Sequence, residues 1–273
     1  MFSEKYGYKL SKQIDSVTPK LRTRIWNYFY QMEIQKGFRK RMKKSLTLDM
    51  TIEKVIADRL GIDIDKFNII NAIKKHVTET CEWFEVYDFI DIYISTITDE
   101  KQNRINEINQ ILAEEKSAYR IVNGEVSPLN SQPEIDEIET AIHTPFDSVN
   151  IHIAKALNLF SNRVQPDYEN SIKESISAVE AMCCIITGMS GKNDTLGKTI
   201  KHLKDNGVHI HPAMESAFSS LYGYTSDEDG IRHGGADFVN ATSEDAKYML
   251  VSCSAFVNYL IEKWSKAKED KNG

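Results

Sequence analysis

Between Ala246 and Trp264 apolar residues return every three or four positions: Ala246, Met249, Leu250, Cys253, Phe256, Val257, Leu260, Ile261 and Trp264. Such a run keeps one face apolar only as an α-helix, here about six turns long. Drawn out as a strand, whose side chains alternate, it would turn half of that stripe to water. A helix with so long a stripe needs partners to cover it, so the chain must fold as packed helices. The stripe's length, with aromatic Phe256 and Trp264, also leads to the expectation of a two-fold dimer through the C-terminal bundle. Ser243 reads as the N-cap of this helix, with Glu244 and Asp245 in the first turn.

The same period recurs through the C-terminal half. Val149, Ile153, Ala156 and Phe160 mark one helix, and Ile172, Ile176, Val179, Cys183 and Ile186 mark a second. Leu196, Ile200 and Leu203 mark a shorter helix closed by Asn206-Gly207, and Pro212 opens another carrying Met214, Ala217, Phe218 and Leu221. Residues 148–273 are therefore expected to form a helical bundle.

Residues 1–116 form a second helical region. One stripe holds Leu21, Ile25, Tyr28, Phe29 and Met32, and another Phe67, Ile70, Ile73 and Val77. A third runs Trp83, Val86, Tyr87, Ile90, Ile94 and Ile97, with Glu85, Asp88 and Asp91 away from it, and Gly61 reads as a helix stop. Between the halves, Ser117 to Val122 leads into Asn123-Gly124, a pair suited to the positive φ angles of a tight β-hairpin. Pro128, Pro133 and Pro145 bracket a short acidic helix, Glu134 to Ile142. The expected fold is mainly α: an N-terminal helical domain (1–116), a hairpin and short-helix connector (117–147) and a C-terminal helical bundle (148–273).

The 273 residues are 41% hydrophobic and 27% charged, enough for two cores, and the net charge of -6 gives no global attraction to nucleic acid or anionic lipid. The four cysteines form no CxxC pair, and Cys183, Cys184 and Cys253 fall on helical faces, as small core residues do in a reducing compartment. The opening Met-Phe-Ser-Glu-Lys has no apolar signal core, and no run of 18 apolar residues occurs. A cytoplasmic protein without membrane contact is expected.

Arg232 and His233, in Asp227-Glu-Asp-Gly-Ile-Arg-His-Gly-Gly235, place a permanent cation beside a titratable imidazole. The pair suits a phosphodiester, because the guanidinium fork grips phosphate and imidazole moves protons near neutral pH; it equally suits a helix-bridging Arg and a loop His. Glu180 falls at the edge of the second bundle stripe and needs a partner there, for which Arg232 is the candidate. Arg39, Lys40, Arg41, Lys43 and Lys44 form the dense positive run, either a phosphate contact or a solvated face. His202, His209 and His211 lack a cysteine or carboxylate at zinc spacing, and Gly188 to Lys192 is only a fragment of a phosphate loop, so no metal or nucleotide site is assigned.

Phe2 to Tyr8, with Leu21 to Asn27, resembles the opening of an AbiJ-type N-terminal domain of bacterial abortive-infection proteins. Tyr168 to Glu180 looks like the first core helix of a HEPN domain in those proteins, and Asp229 to His233 and Ala246 to Val251 continue the likeness. The resemblance covers nearly the whole chain. It implies a phage-defence protein with a HEPN-like bundle that homodimerises and builds a composite Arg-x(4–6)-His site. Active members are metal-independent ribonucleases without cofactor: the Arg holds RNA phosphate and the His assists attack by the ribose 2′-hydroxyl. The N-terminal domain would then meet a trigger or partner. His233 fills the polar place after the Arg, but the second histidine should fall among Asp237, Phe238 and Val239, and no histidine follows His233. Three alternatives stay open: His233 transfers the proton, Asp237 substitutes, or the protein binds or regulates without catalysis.

Overall fold

The computed structural model describes residues 12–35, 52–63, 68–162, 164–189, 196–226 and 241–272, with backbone alone at 224–226 and 271–272. These are mainly helical, with one two-stranded antiparallel hairpin. The chain divides into two compact units, Met1–Asn130 and Ser131–Gly273.

In the first unit, α1 (Pro19–Phe29) starts at Thr18, whose side chain accepts from the Leu21 N–H, with Pro19 in the first turn. A π-helical stretch, Tyr30–Gln35, extends it. Helix α2 (Ile52–Arg59) ends at Gly61 with φ +66°, where the Ile62 N–H returns to the Ala57 carbonyl, the stop read from the sequence. Helix α3 (Ile69–Lys75) continues into a π-helical turn, His76–Thr80, and α4 (Glu85–Thr96) and α5 (Lys101–Glu114) follow. The core forms around Phe29, whose ring meets Phe89 and Tyr93 edge-on at 5.3 Å each. Phe89 and Tyr93 are buried beside Ile90 and Ile94, widening the α4 stripe beyond the residues its simple period selects.

Strands β1 (Arg120–Val122) and β2 (Glu125–Ser127) pair antiparallel, Ile121 facing Val126. Asn123 and Gly124 both have positive φ, 50° and 85°, as a two-residue primed turn requires. The hairpin packs on α4 and α5 and so belongs to the first unit, while the following helix α6 (Gln132–Ile142) lies in the second.

The second unit is a helical bundle of α6, α7 (Asp147–Ser161), α8 (Tyr168–Thr187), α9 (Leu196–His202), α10 (Pro212–Ser226) and α11 (Ser243–Asn272). Helix α8 is the centre and packs against α7 and α11. Its expected stripe is buried, and small buried residues, Ser171, Ser175 and Ala178, let neighbours approach. Ser171 donates to the Ala156 carbonyl of α7 at 2.8 Å, which satisfies its buried hydroxyl.

Two details depart from expectation. The cap of α11 is Thr242: its Oγ1 accepts from the Asp245 N–H, and Asp245 Oδ2 accepts from the Thr242 N–H. Only at that spacing can the two side chains exchange bonds, whereas Ser243 pairs with Glu244. On α10, Met214 and Ala217 are exposed and Phe218 stacks on Phe256. The α11 stripe from Ala246 to Leu260 is buried within this unit, and Trp264 meets Phe146 and Lys268. Its length is therefore accounted for by intrachain packing. Among the described residues, no helix is long and apolar enough to cross a membrane.

Candidate functional site

Of the residues proposed for catalysis, Glu180 is described. It lies half-buried on α8, where burial first, then Cys184 and Glu180, push the Cys183 thiol up. Arg232, His233 and Asp237 lie outside the described residues, as do Arg39, Lys40, Arg41, Lys43 and Lys44. At the start of α11 the Ala241 N–H donates to Glu169 Oε1 at 3.1 Å, tying the entrance of that helix to the first turn of α8. One further titratable pair joins α7 and α8, His152 Nδ1 lying 2.5 Å from Glu174 Oε2.

Burial raises the Cys253 thiol to about 12 and the Cys183 thiol as well, so both remain protonated core groups. Two histidines of the C-terminal half, His202 and His211, have local partners. His202 Nδ1 pairs with Asp205 at 3.0 Å, and His211 Nδ1 accepts from the Ala213 N–H at the start of α10.

In the first unit, Arg104 contacts Glu33 and Tyr93, and Tyr93 donates to Glu33. Burial, then the Glu33 carboxylate, pushes the Tyr93 phenol well up, so it stays a neutral donor. Lys20 and Arg24 converge on Glu115, and Arg24 also meets Glu114, tying α1 to the end of α5. These partly exposed ion pairs serve packing between helices more than chemistry.

A third grouping has a different character. One ligand atom each of His76, Cys81 and Glu85 lie within 4.8 Å of one another. In a regular α-helix, residues five apart point about 140° away from each other. Here the Cys81 N–H closes a π turn on the His76 carbonyl at 3.0 Å, bringing both residues to one side. The Glu82 N–H donates to Glu85 Oε2 at 2.6 Å, and Glu85 Oε1 lies 3.9 Å from His76 Nε2. Arg22 Nη1 donates to Cys81 Sγ at 2.9 Å and to the Val77 carbonyl. Burial raises the Cys81 thiol, and Arg22 opposes that rise. His76 Nε2 is buried without a hydrogen-bond partner, which costs about 1–3 kcal/mol where nothing compensates. The sequence reading passed over this set; its trace there is the spacing His-x4-Cys-x3-Glu, which converges only because the intervening turn is π-helical.

Comparison with curated proteins and with solved structures finds no match. Residues 1–144 match the family described as AbiJ N-terminal domain 4, a span that takes in the first unit and continues through α6. Because the match covers more than half of the 273 residues, the chain belongs to the AbiJ N-terminal domain 4 family.

Proposed function

We propose that this protein acts in bacterial abortive infection as a metal-independent, HEPN-type ribonuclease working as a homodimer. The observation that carries this reading is the joining of an AbiJ N-terminal domain to a helical bundle whose central helix bears the HEPN-like sequence Tyr168 to Glu180. Arg232 holds the scissile phosphate and stabilises its developing charge, an effect of about 10²–10³-fold when donors are well placed. His233 moves the proton, contributing about 10²–10⁴-fold, and Asp237 is the remaining candidate for that step. Glu180 orients Arg232. The nine-residue stretch from Arg232 to Ala241 can span up to about 30 Å, and Glu180 lies about 16 Å along α8 from Glu169, so the pairing is within reach. Arg39 to Lys44 attract RNA phosphates, and the N-terminal unit receives the trigger. The dimer rests on the family resemblance, since the α11 stripe is used within one chain.

The test is cleavage of total RNA and of tRNA by the purified chain, in parallel with and without EDTA. Cleavage in both buffers, lost in folded Arg232→Ala and His233→Ala, is the expected result. Cleavage that survives folded Arg232→Ala, or that requires an added divalent ion, overturns the assignment. Light scattering that finds only monomer at micromolar concentration removes a stable dimer.

A second reading is a non-catalytic binding or regulatory protein on the same scaffold, with Arg232 and Glu180 as a strut. It is favoured by the absence of histidine after His233. It predicts no RNA cleavage by the wild type and loss of folding in both Arg232→Ala and Glu180→Ala.

A further inference from the structure

We propose that His76, Cys81 and Glu85 form a binding site for a zinc-class transition-metal ion in the N-terminal unit. The donor set is imidazole nitrogen, thiolate sulfur and carboxylate oxygen, a mixture that suits tetrahedral Zn²⁺ and its substitute Co²⁺. Two N/O ligands on one tetrahedral zinc lie about 3.3–3.4 Å apart. His76 Nε2 and Glu85 Oε1, at 3.9 Å, are too far apart for a hydrogen bond and need only a small movement to share an ion. The three donors, each within 4.8 Å of the other two, are spaced as ligands around one ion rather than as a nucleophile–base–orienter chain, in which each group hydrogen-bonds the next.

The surroundings fit the same occupant. Bond formation is Cys81–SH plus M²⁺ giving Cys81–S–M⁺ and a released proton, with no change of oxidation state. The Cys81 thiol now directs its proton to the Val77 carbonyl at 3.7 Å; once that proton leaves, Arg22 remains as donor to both the sulfur and that carbonyl. Arg22 thus becomes an outer-shell support for the thiolate, and the Glu82 N–H does the same for Glu85. Cys81 and the His76 Nε2 atom are buried while the His76 and Glu85 side chains as a whole are 19% and 32% exposed, and water or a further oxygen donor would complete a four-coordinate ion. The bound ion pins the start of α4 to the π turn after α3. This site is separate from the ribonuclease reading and survives its failure.

The experiment uses the full chain, reduced, stripped with chelator and titrated anaerobically with Co²⁺. One equivalent should produce a thiolate-to-cobalt charge-transfer band and tetrahedral ligand-field bands, which Zn²⁺ then bleaches. Cys81→Ser should abolish the charge-transfer band, Cys184→Ser should keep it, and His76→Gln or Glu85→Gln should weaken binding by at least about tenfold. Should Cys81→Ser fail to fold, iodoacetamide labelling of the wild type decides: Zn²⁺ should protect Cys81 and leave Cys184 labelling unchanged. Absence of the charge-transfer band, its persistence in Cys81→Ser, or unprotected Cys81 in saturating Zn²⁺ overturns the proposal. Binding through His202, His209 and His211 would give cobalt bands without thiolate charge transfer, and would overturn it too.

Discussion

The side-chain amide of Asn109 pairs with the backbone of Ile121 through both of its groups. Nδ2 donates to the Ile121 carbonyl at 2.8 Å, and Oδ1 accepts from the Ile121 N–H at 2.7 Å. Ile121 faces Val126 across the hairpin, so Asn109 stands on the open edge of β1 where a third strand would otherwise pair. One helical side chain thus docks the hairpin on α5.

Removing that amide leaves a buried N–H and C=O without partners. Asn109→Ala should destabilise the protein by about 2–3 kcal/mol in chemical denaturation. Asn109→Asp keeps the acceptor and loses the donor, so it should also destabilise, most strongly where the carboxylate is charged. A loss below about 0.5 kcal/mol for Asn109→Ala, within the range of ordinary surface changes, would show that packing alone holds the hairpin.

Asp91 also meets the hairpin, accepting from the Val126 N–H at 2.8 Å. Burial raises its carboxyl to about 6, against the pull of that hydrogen bond and with help from Glu125 and Asp88. The folded form therefore holds its proton more tightly than the unfolded chain, whose aspartates titrate near about 3.9. This contribution is present below about pH 4 and is lost as pH rises through about 6. Asp91→Asn keeps an acceptor for Val126 and should stabilise the protein at pH 7 by up to about 3 kcal/mol while flattening the slope between pH 4 and 6. An unchanged slope in the variant would assign the pH dependence to other carboxylates.

Phe29 should be the costliest aromatic truncation in the first unit. It is 1% exposed and contacts two rings edge-on, so Phe29→Ala removes both volume and ring contacts. A loss of about 3–5 kcal/mol is expected by denaturant titration. A loss under about 1 kcal/mol would mean that the cavity collapses freely.

The cap of α11 separates two adjacent hydroxyls. Thr242→Ala should cost about 1 kcal/mol, whereas Ser243→Ala should be near neutral. In a double-mutant cycle Thr242 and Asp245 should couple, since each satisfies the other's N–H. Equal effects at 242 and 243 would place the cap elsewhere.

How much could be read beforehand depended on the distance over which each feature is decided. The α8 stripe, the Gly61 stop and the Asn123-Gly124 turn were legible because neighbours within a few positions determine them. The α11 cap lies one residue before Ser243 because the reciprocal bonds join Thr242 and Asp245, and cap preference alone does not separate two adjacent hydroxyl residues. Glu85 and Asp91 share the polar side of the α4 stripe, and nothing local tells their fates apart. One turns toward His76, the other meets Val126 from the hairpin.

By itself, therefore, the sequence determined the helical class, the hairpin, most core faces and the likeness to AbiJ proteins, because helical period and turn dihedrals are local quantities. The tertiary structure alone decided that Asn109 completes the edge of β1 and that the α11 stripe is covered from within its own unit. It also decided that His76, Cys81 and Glu85 converge, because a π turn must form and α4 must dock beside it before their donor atoms can approach.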